Sequence, residues 1–225
     1  MIVVRFLIVG AGFCFAAAVP ASAFGADLVF AQNFSTGTKQ IVSFPVGDPN
    51  NMTLVGPLTD TLTGMDFDPG ANVLWAINFA THTLGTVNPA TGTYAQTTLL
   101  AASNISAFPI DPVAGTFYVS TSDRYVYSLD PATGEATKLG AGAAAGAEIR
   151  ALAADCNGRL FALGSNVEGD ILYQAHLGVG EPTLIGSAEY SGPTSLEFDN
   201  HSGVLYAWFF AGVAVTARST QRRHS

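Results

Sequence analysis

Aspartates stand at Asp68, Asp111, Asp155 and Asp199, at intervals of 43, 44 and 44 residues. A row of carboxylates is the raw material of an oxygen-ligand set for a hard cation. Two further acids, Asp66 and Glu197, each sit two positions before a member of that row. Brought to one axis, that pair would hold a cation or work as general acid and base. Arg150 and His82 complete the candidate catalytic set. Each observation has a plainer reading. One aspartate per repeat caps a turn through its side chain. A lone acid in each of two repeats is satisfied by water or by a backbone N–H. "DFDPGAN" (66–72) alternates oxygen ligands like the start of a calcium loop but lacks the closing Glu, so it reads as a turn. His82, His176 and His201 fall in different repeats without ligand spacing. Nucleophile elbow, phosphate loop, H-E-x-x-H and dinucleotide fingerprint are all absent from the sequence. The pattern offers no cofactor and no metal site.

The elements that must position these residues are strands. "LTGMDFDPGANVLWAIN" begins at 62, "ISAFPIDPVAGTFYVST" at 105, "IRALAADCNGRLFALGS" at 149 and "PTSLEFDNHSGVLYAWF" at 193. Each is an apolar alternating run, an Asp, a turn and a second apolar run. After the first three come a third run ("TLGTVNP", "YVYSLDP", "ILYQAHL") and a fourth ("TYAQTTLL", "EATKLGA", "PTLIGSA"). Four short antiparallel strands in roughly 44 residues are one blade of a β-propeller. "DPxxG" and "PATG" are its turns, in which Pro presets φ and Gly takes a positive φ.

The blades predicted are 62–100, 105–141 and 149–188, with a partial blade of three strands at 27–58 and one of two strands at 193–210. Together they form one all-β domain over 27–210, either four blades or an incomplete ring that ends inside a fifth. An open edge exposes unpaired backbone groups and offers a route to self-association. In the first strands, Phe67, Ile110, Ala154 and Phe198, with Met65, Phe108, Leu152 and Leu196, read as the face packed between blades. The alternate positions, Asp66, Pro109, Ala153 and Glu197, with Gly64, Ala107, Ala151 and Ser195, read as facing a central channel.

The chain opens "MIVVRFLIVGAGFCFAAAVPASA". Arg5, an apolar run over 6–19 and Ala21-Ser22-Ala23 form the pattern of a cleaved secretory signal (1–23). The run is short for a membrane span, so the expectation is a secreted or periplasmic protein with no span after cleavage. Cleavage would remove Cys14 and leave Cys156 alone in a turn, which reads as a free surface thiol. Residues 211–225 have lost the repeat and read as a disordered, basic tail. The net charge of −8 argues against a nucleic-acid partner. Four N-x-S/T sequons occur, at Asn33, Asn51, Asn104 and Asn200.

The units resemble those of secreted bacterial propeller-like proteins with the pattern "G(I/L)DFxPxxGxLYA" and "LYxIDPATG". The matching residues are Gly64, Asp66-Phe67-Asp68-Pro69 and Leu74-Trp75-Ala76, then Asp111-Pro112, Gly115, Phe117-Tyr118 and Leu129 to Gly134. The third full unit departs, with Asp155-Cys156-Asn157-Gly158 and no "DPATG". The resemblance implies the fold and is silent on activity, since that group is mostly of unknown function. The reading is an exported, non-catalytic binding or structural module. Its protein or carbohydrate ligand would meet the face whose loops differ between blades: 78–82, 120–124, 140–148 and 164–170. The alternatives are a hydrolase or lyase acting on a sugar or lactone at the channel mouth, and a fragment of a longer repeat protein.

Overall fold

The computed structural model describes residues 3–7, 13–19, 28–33, 38–45, 48, 50–167, 169–187, 193–199 and 204–209. All regular elements among them are strands: β1 (Val3–Leu7), β2 (Phe13–Val19), β3 (Leu28–Asn33), β4 (Gln40–Pro45), β5 (Thr53–Pro57), β6 (Leu62–Asp68), β7 (Val73–Asn78), β8 (Thr83–Val87), β9 (Tyr94–Leu99), β10 (Phe117–Ser120), β11 (Tyr125–Leu129), β12 (Ala136–Ala141), β13 (Glu148–Ala154), β14 (Leu160–Asn166), β15 (Gly169–Gln174), β16 (Thr183–Ser187), β17 (Pro193–Asp199) and β18 (Val204–Phe209). They form five sheets, ordered β2-β3-β4-β5, β6-β7-β8-β9, β10-β11-β12, β13-β14-β15-β16 and β17-β18-β1. These are blades 1 to 5 of a β-propeller. No helix here is long and apolar enough to cross a membrane.

Five apolar clusters lie between the blades and close the cycle. Phe30 and Ile41 of blade 1 pack with Met65 and Phe67 of blade 2. Ile77 and Leu84 meet Phe108 and Phe117 of blade 3. Tyr118 and Val126 meet Leu152 and Leu160 of blade 4. Phe161 and Leu163 meet Leu196 and Leu205 of blade 5. Tyr206 and Trp208 return to Val29 and Phe44 of blade 1. Each such side chain, taken out of water, contributes roughly 1.5–3 kcal/mol.

Inner strands are therefore covered on both faces, and β6 is buried along nearly its whole length, whereas β9 and β16 on the rim are mostly exposed. This narrows the assignment of alternate inner positions to a channel: Gly64, Ala107, Ala151, Ser195 and Glu197 do line the cavity at the ring centre, but so do Met65, Phe108, Leu152 and Leu196 of the packed face, and Asp66, Pro109 and Ala153 do not. Ala151 and Ala153 belong to the cluster with blade 5, and Leu152 and Ala154 to the cluster with blade 3. Blade sheets stack face to face, so the centre meets strand edges rather than one side-chain face.

The inner strands share one irregularity. The pairing register slips between Leu62 and Gly64 on β6, between Ile149 and Ala151 on β13, and between Pro193 and Ser195 on β17. A bulge at that point sharpens the strand twist. Blade 3 departs, since its inner segment makes only isolated bridges, Ala107 with Ser120 and Ile110 with Phe117. Pro109 lies between them and has no N–H to give to a ladder.

Two strands come from the segment that reads as a signal. β2 runs antiparallel to β3 as the inner strand of blade 1, with the shared slip between Cys14 and Ala16. β1 lies parallel to β18, where the other blades carry an antiparallel third strand. The basic tail expected over 211–225 lies outside the described residues.

Candidate functional site

The repeated turns are built by their own carboxylates and amides. Asp68 Oδ1 accepts the N–H of Gly70 and Ala71, at 2.8 and 3.0 Å. Asp111 Oδ1 accepts those of Val113 and Ala114, and Asp130 Oδ1 those of Ala132 and Thr133. Asp155, whose side chain is fully buried, accepts the N–H of Asn157 and Arg159 and the Arg159 guanidinium at Nε, 2.7 Å away. Burial pushes the Asp155 carboxyl up, but those donors outweigh it and hold it below the usual carboxylate range. So these aspartates cap turns, and no group of three or more His, Cys, Asp or Glu could hold a metal among the described residues.

The "PATG" turns do more than reverse the chain. Gly92 and Gly134 take positive φ, 72° and 77°. Each turn rests on the outer strand of the preceding blade. A Cβ on Gly134 would lie 2.1 Å from the Leu99 carbonyl oxygen, and one on Gly92 would lie 3.3 Å from Gly56 Cα. The Gly134 carbonyl accepts the N–H of Ala101, and Thr98 Oγ1 donates to the Pro131 carbonyl at 2.7 Å. In blade 4 the chain at His176 takes the same seat, its N–H donating to the Ala141 carbonyl. Sequence reasoning missed this role, because the partner lies more than thirty residues away in the neighbouring repeat.

Asp66 is the second interblade bond that the sequence concealed. Its Oδ1 accepts the N–H of Phe67 at 2.7 Å and its Oδ2 that of Ile110 at 2.6 Å. The second bond joins blade 2 to the irregular inner segment of blade 3. Burial dominates its protonation and lifts its pKa from 3.8 to about 7, against the pull of both N–H donors; Asp68 nearby adds to the rise. Thr63 Oγ1 makes a parallel link to the Ile105 carbonyl at 2.8 Å, and Gln32 Oε1 accepts the N–H of Leu62 between blades 1 and 2.

The four catalytic candidates occupy three places. Arg150 and Glu197 line a cavity at the ring centre, with Gly64, Ala107, Ala151 and Ser195. Its volume is about 20 Å³, roughly enough for one water. Arg150 also pairs with Glu148 at 3.5 Å, with both side chains more than half exposed, an arrangement worth little. Asp66 is held between blades 2 and 3. His82 stands apart on the turn joining β7 to β8, beside a shallow cleft. Cys156 is exposed and free. Of the sequon residues, Asn33 is buried, Asn51 and Asn104 are exposed, and Asn200 lies outside the described residues.

The variable loops prove unequal. The run over 140–148 is packed rather than loose: Ala143 and Ala147 are buried, and the N–H of Gly142 donates to the Arg124 carbonyl. The expected loop 164–170 is a tight hairpin, with Ser165 opposite Asp170 and Asn166 opposite Gly169. Arg124, in the loop 120–124, makes a two-pronged pair with Glu181 of the next blade, at 2.9 and 2.7 Å. In the segment 78–82 the residues after the buried Asn78 are exposed, Phe79 at 51%, and Val167 at the tip of the 164–170 hairpin is fully exposed.

No family model matches the chain, and no curated protein matches it. Solved structures share its fold. A protein of unknown function from Bacteroides thetaiotaomicron superposes with a TM-score of 0.58 at 14% identity, covering 82% of this chain and 53% of that one. A chain of a nidogen/laminin complex gives 0.58 at 16% identity, with 79% and 68% covered. The extracellular domain of a hybrid two-component system from B. thetaiotaomicron gives 0.50 at 15% identity, with 94% and 28% covered. The chain thus spans about half of the first of these structures and just over a quarter of the last. These likenesses establish the propeller fold.

Proposed function

We propose that the chain is an exported propeller domain that acts as a non-catalytic binding or structural module. One observation carries the reading: Asp66 and the turn aspartates, the most conspicuous acids of the repeat, are engaged in backbone hydrogen bonds that hold the fold. Asp66 is bonded to two backbone amides, and the turn aspartates to their own loops. The central cavity has room for a water rather than a substrate. What differs from blade to blade is the set of loops opposite the "PATG" turns, and varying loops on a rigid scaffold are where recognition is carried. An extracellular setting agrees with a neighbour of the same fold that is itself an extracellular domain.

The test is protection mapping. Hydrogen exchange of the purified protein, with and without material captured from the medium of its source, should show protection in 78–82 and 120–124. Protection confined to the "PATG" turns would refute the binding face. Turnover of a lactone or glycoside, abolished in Glu197→Ala, would refute the non-catalytic reading.

A further inference from the structure

The outer strands β5, β9, β12 and β16 share a bulge. Pairing slips between Ile41 and Val42 opposite β5, and between Leu84 and Gly85 opposite β9. It slips between Val126 and Tyr127 opposite β12, and between Leu172 and Tyr173 opposite β16. The outer-strand residue paired just before the slip is Gly56, Thr98, Gly140 or Gly186. In blades 1 to 3 this position is the seat on which the next blade rests. A Cβ on Gly56 would collide with the Thr91 carbonyl oxygen, and one on Gly140 with that of His176. Thr98 meets the Pro131 carbonyl through its hydroxyl. Gly56, Gly140 and Gly186 all lie outside the left-handed region, so turn geometry does not call for them. Glycine inside a strand weakens it and marks a close approach by another backbone.

Blade 4 breaks the series. A Cβ on Gly186 would meet nothing within 4 Å. Among the described residues blade 5 has three strands, with β1 last in its sheet, and it sends no hairpin turn to blade 4. On the outer hairpin of blade 4, Leu177, Val179, Leu184 and Ile185 stand exposed. β12 carries Lys138 and β5 ends on Pro57, devices that guard a sheet edge, whereas β16 holds neither charge nor proline. Blade 1 has the converse shortage. Its turn after β4 is closed by the N–H of Asp48 on the Pro45 carbonyl and that of Asn51 on the Asp48 carbonyl. The blade before it in the ring is blade 5, which offers no fourth strand among the described residues for that turn to rest on. Met52 and Leu54, at the start of the outer strand, stand exposed. One chain thus holds a seat without a turn and a turn without a seat, and blade 5 lies between them.

We infer that copies of this chain associate head to tail, the β4–β5 corner of one copy, at Met52 and Leu54, resting on the β16 seat of another at Gly186. The contact repeats between molecules the one that joins successive blades within a molecule, and it covers apolar side chains that each patch leaves open. The two patches differ, so the contact is heterologous and builds a series of sizes unless the rotation closes a ring. The inference uses none of the loops assigned to recognition, so its failure would leave that reading as it stands.

Sedimentation velocity of the full chain at rising concentration tests it, and the average mass should climb. Gly186→Val fills the seat with a side chain that meets open space in the single chain, so Tm should hold while association weakens roughly tenfold or more. Leu54→Arg, at an exposed position, should do the same from the other side. Mixed in equal amounts, the two variants should form a dimer and nothing larger, since each keeps the half that the other has lost. Three results would overturn the contact: a single chain at every concentration, association unchanged in Gly186→Val, or no dimer in the mixture. In the first case the seat belongs to a different chain, and in the last the copies meet through some other pair of patches. The same Gly186→Val change, made in a chain trimmed to start at Phe24, keeps association through the β3 edge distinct from this contact.

Discussion

Asp66→Asn separates burial from bonding at the interblade acid. In the folded chain the Asp66 pKa stands at about 7, above its ordinary 3.8. The folded state therefore keeps a proton that the unfolded chain releases. Stability from this group is full below the unfolded pKa and is lost as pH rises through 7, at about 1.4 kcal/mol per unit. The pI is 4.7, so pH 5.5 is the lowest safe point for solution work. Between pH 5.5 and 8 the wild-type chain should lose about 2 kcal/mol through this group alone. The amide that replaces the carboxyl does not titrate, so that loss is absent from the variant. The variant has its own cost. One oxygen becomes an NH₂ facing the N–H of Phe67 or Ile110, which leaves a buried donor unpaired for about 1–3 kcal/mol. Urea unfolding at both pH values reads the outcome. The gap between wild type and variant should shift by about 2 kcal/mol in favour of the variant at pH 8. Parallel curves, with a gap constant within about 0.5 kcal/mol, would refute the argument that burial governs this carboxyl.

Gly134→Ala should cost more than about 2 kcal/mol, since it adds a contact with the Leu99 carbonyl to the left-handed backbone cost, while Gly115→Ala, with the same backbone and open space, should cost only about 1; equal Tm losses in the two would show that the "PATG" turn does not dock. Arg159→Ala leaves Asp155 buried with its backbone donors and a long bond from Asn157 Nδ2, and should cost about 2–4 kcal/mol by urea unfolding, more than Arg150→Ala, whose guanidinium is exposed; similar values for both would remove the buried pair. A chain starting at Phe24 lacks β1 and β2, so β3 offers a bare edge; it should elute larger with rising concentration in size-exclusion chromatography, and a monomer at every concentration would dismiss the free edge.

The repeat was legible because each blade writes the same alternation, Asp and turn at a period near 44. Periodicity fixes what a blade is, and the face-to-face stacking of blades then follows from the need to cover both sides of apolar strands. What it leaves unread is any bond that crosses from one repeat to the next. "PATG" looked like a hairpin turn since Pro, Thr and Gly are sufficient for one. Its contact with Gly56 or Leu99 depends on how far each blade is rotated, which no local pattern records. Asp66 was conspicuous as an acid among apolar neighbours. The channel assigned to it presumed that one face of an inner strand looks inward. Only the strand edge does so, and a buried side chain two positions before the turn is left to find backbone amides in the adjoining blade.

The same reasoning explains where blades 1, 3 and 4 depart from the common pattern. Pro109 removes a ladder donor from blade 3, and the bond from Asp66 to the N–H of Ile110 secures the segment that the ladder does not. Blade 4 replaces "DPxxG" with Asp155-Cys156-Asn157-Gly158, and the side chains of Arg159 and Asn157 give the buried Asp155 carboxylate donors beyond its two backbone N–H groups. Residues 13–19 satisfy two patterns at once. Seven small and apolar residues with a small residue after the slip are what a signal core requires. They are also what the inner-strand register accepts, since Ala16 falls where Gly64, Ala151 and Ser195 stand in other blades. An alternation read without its pairing partner does not separate those two uses. The chain starting at Phe24 does, because only a strand that belongs to the ring leaves a cohesive edge when it is removed.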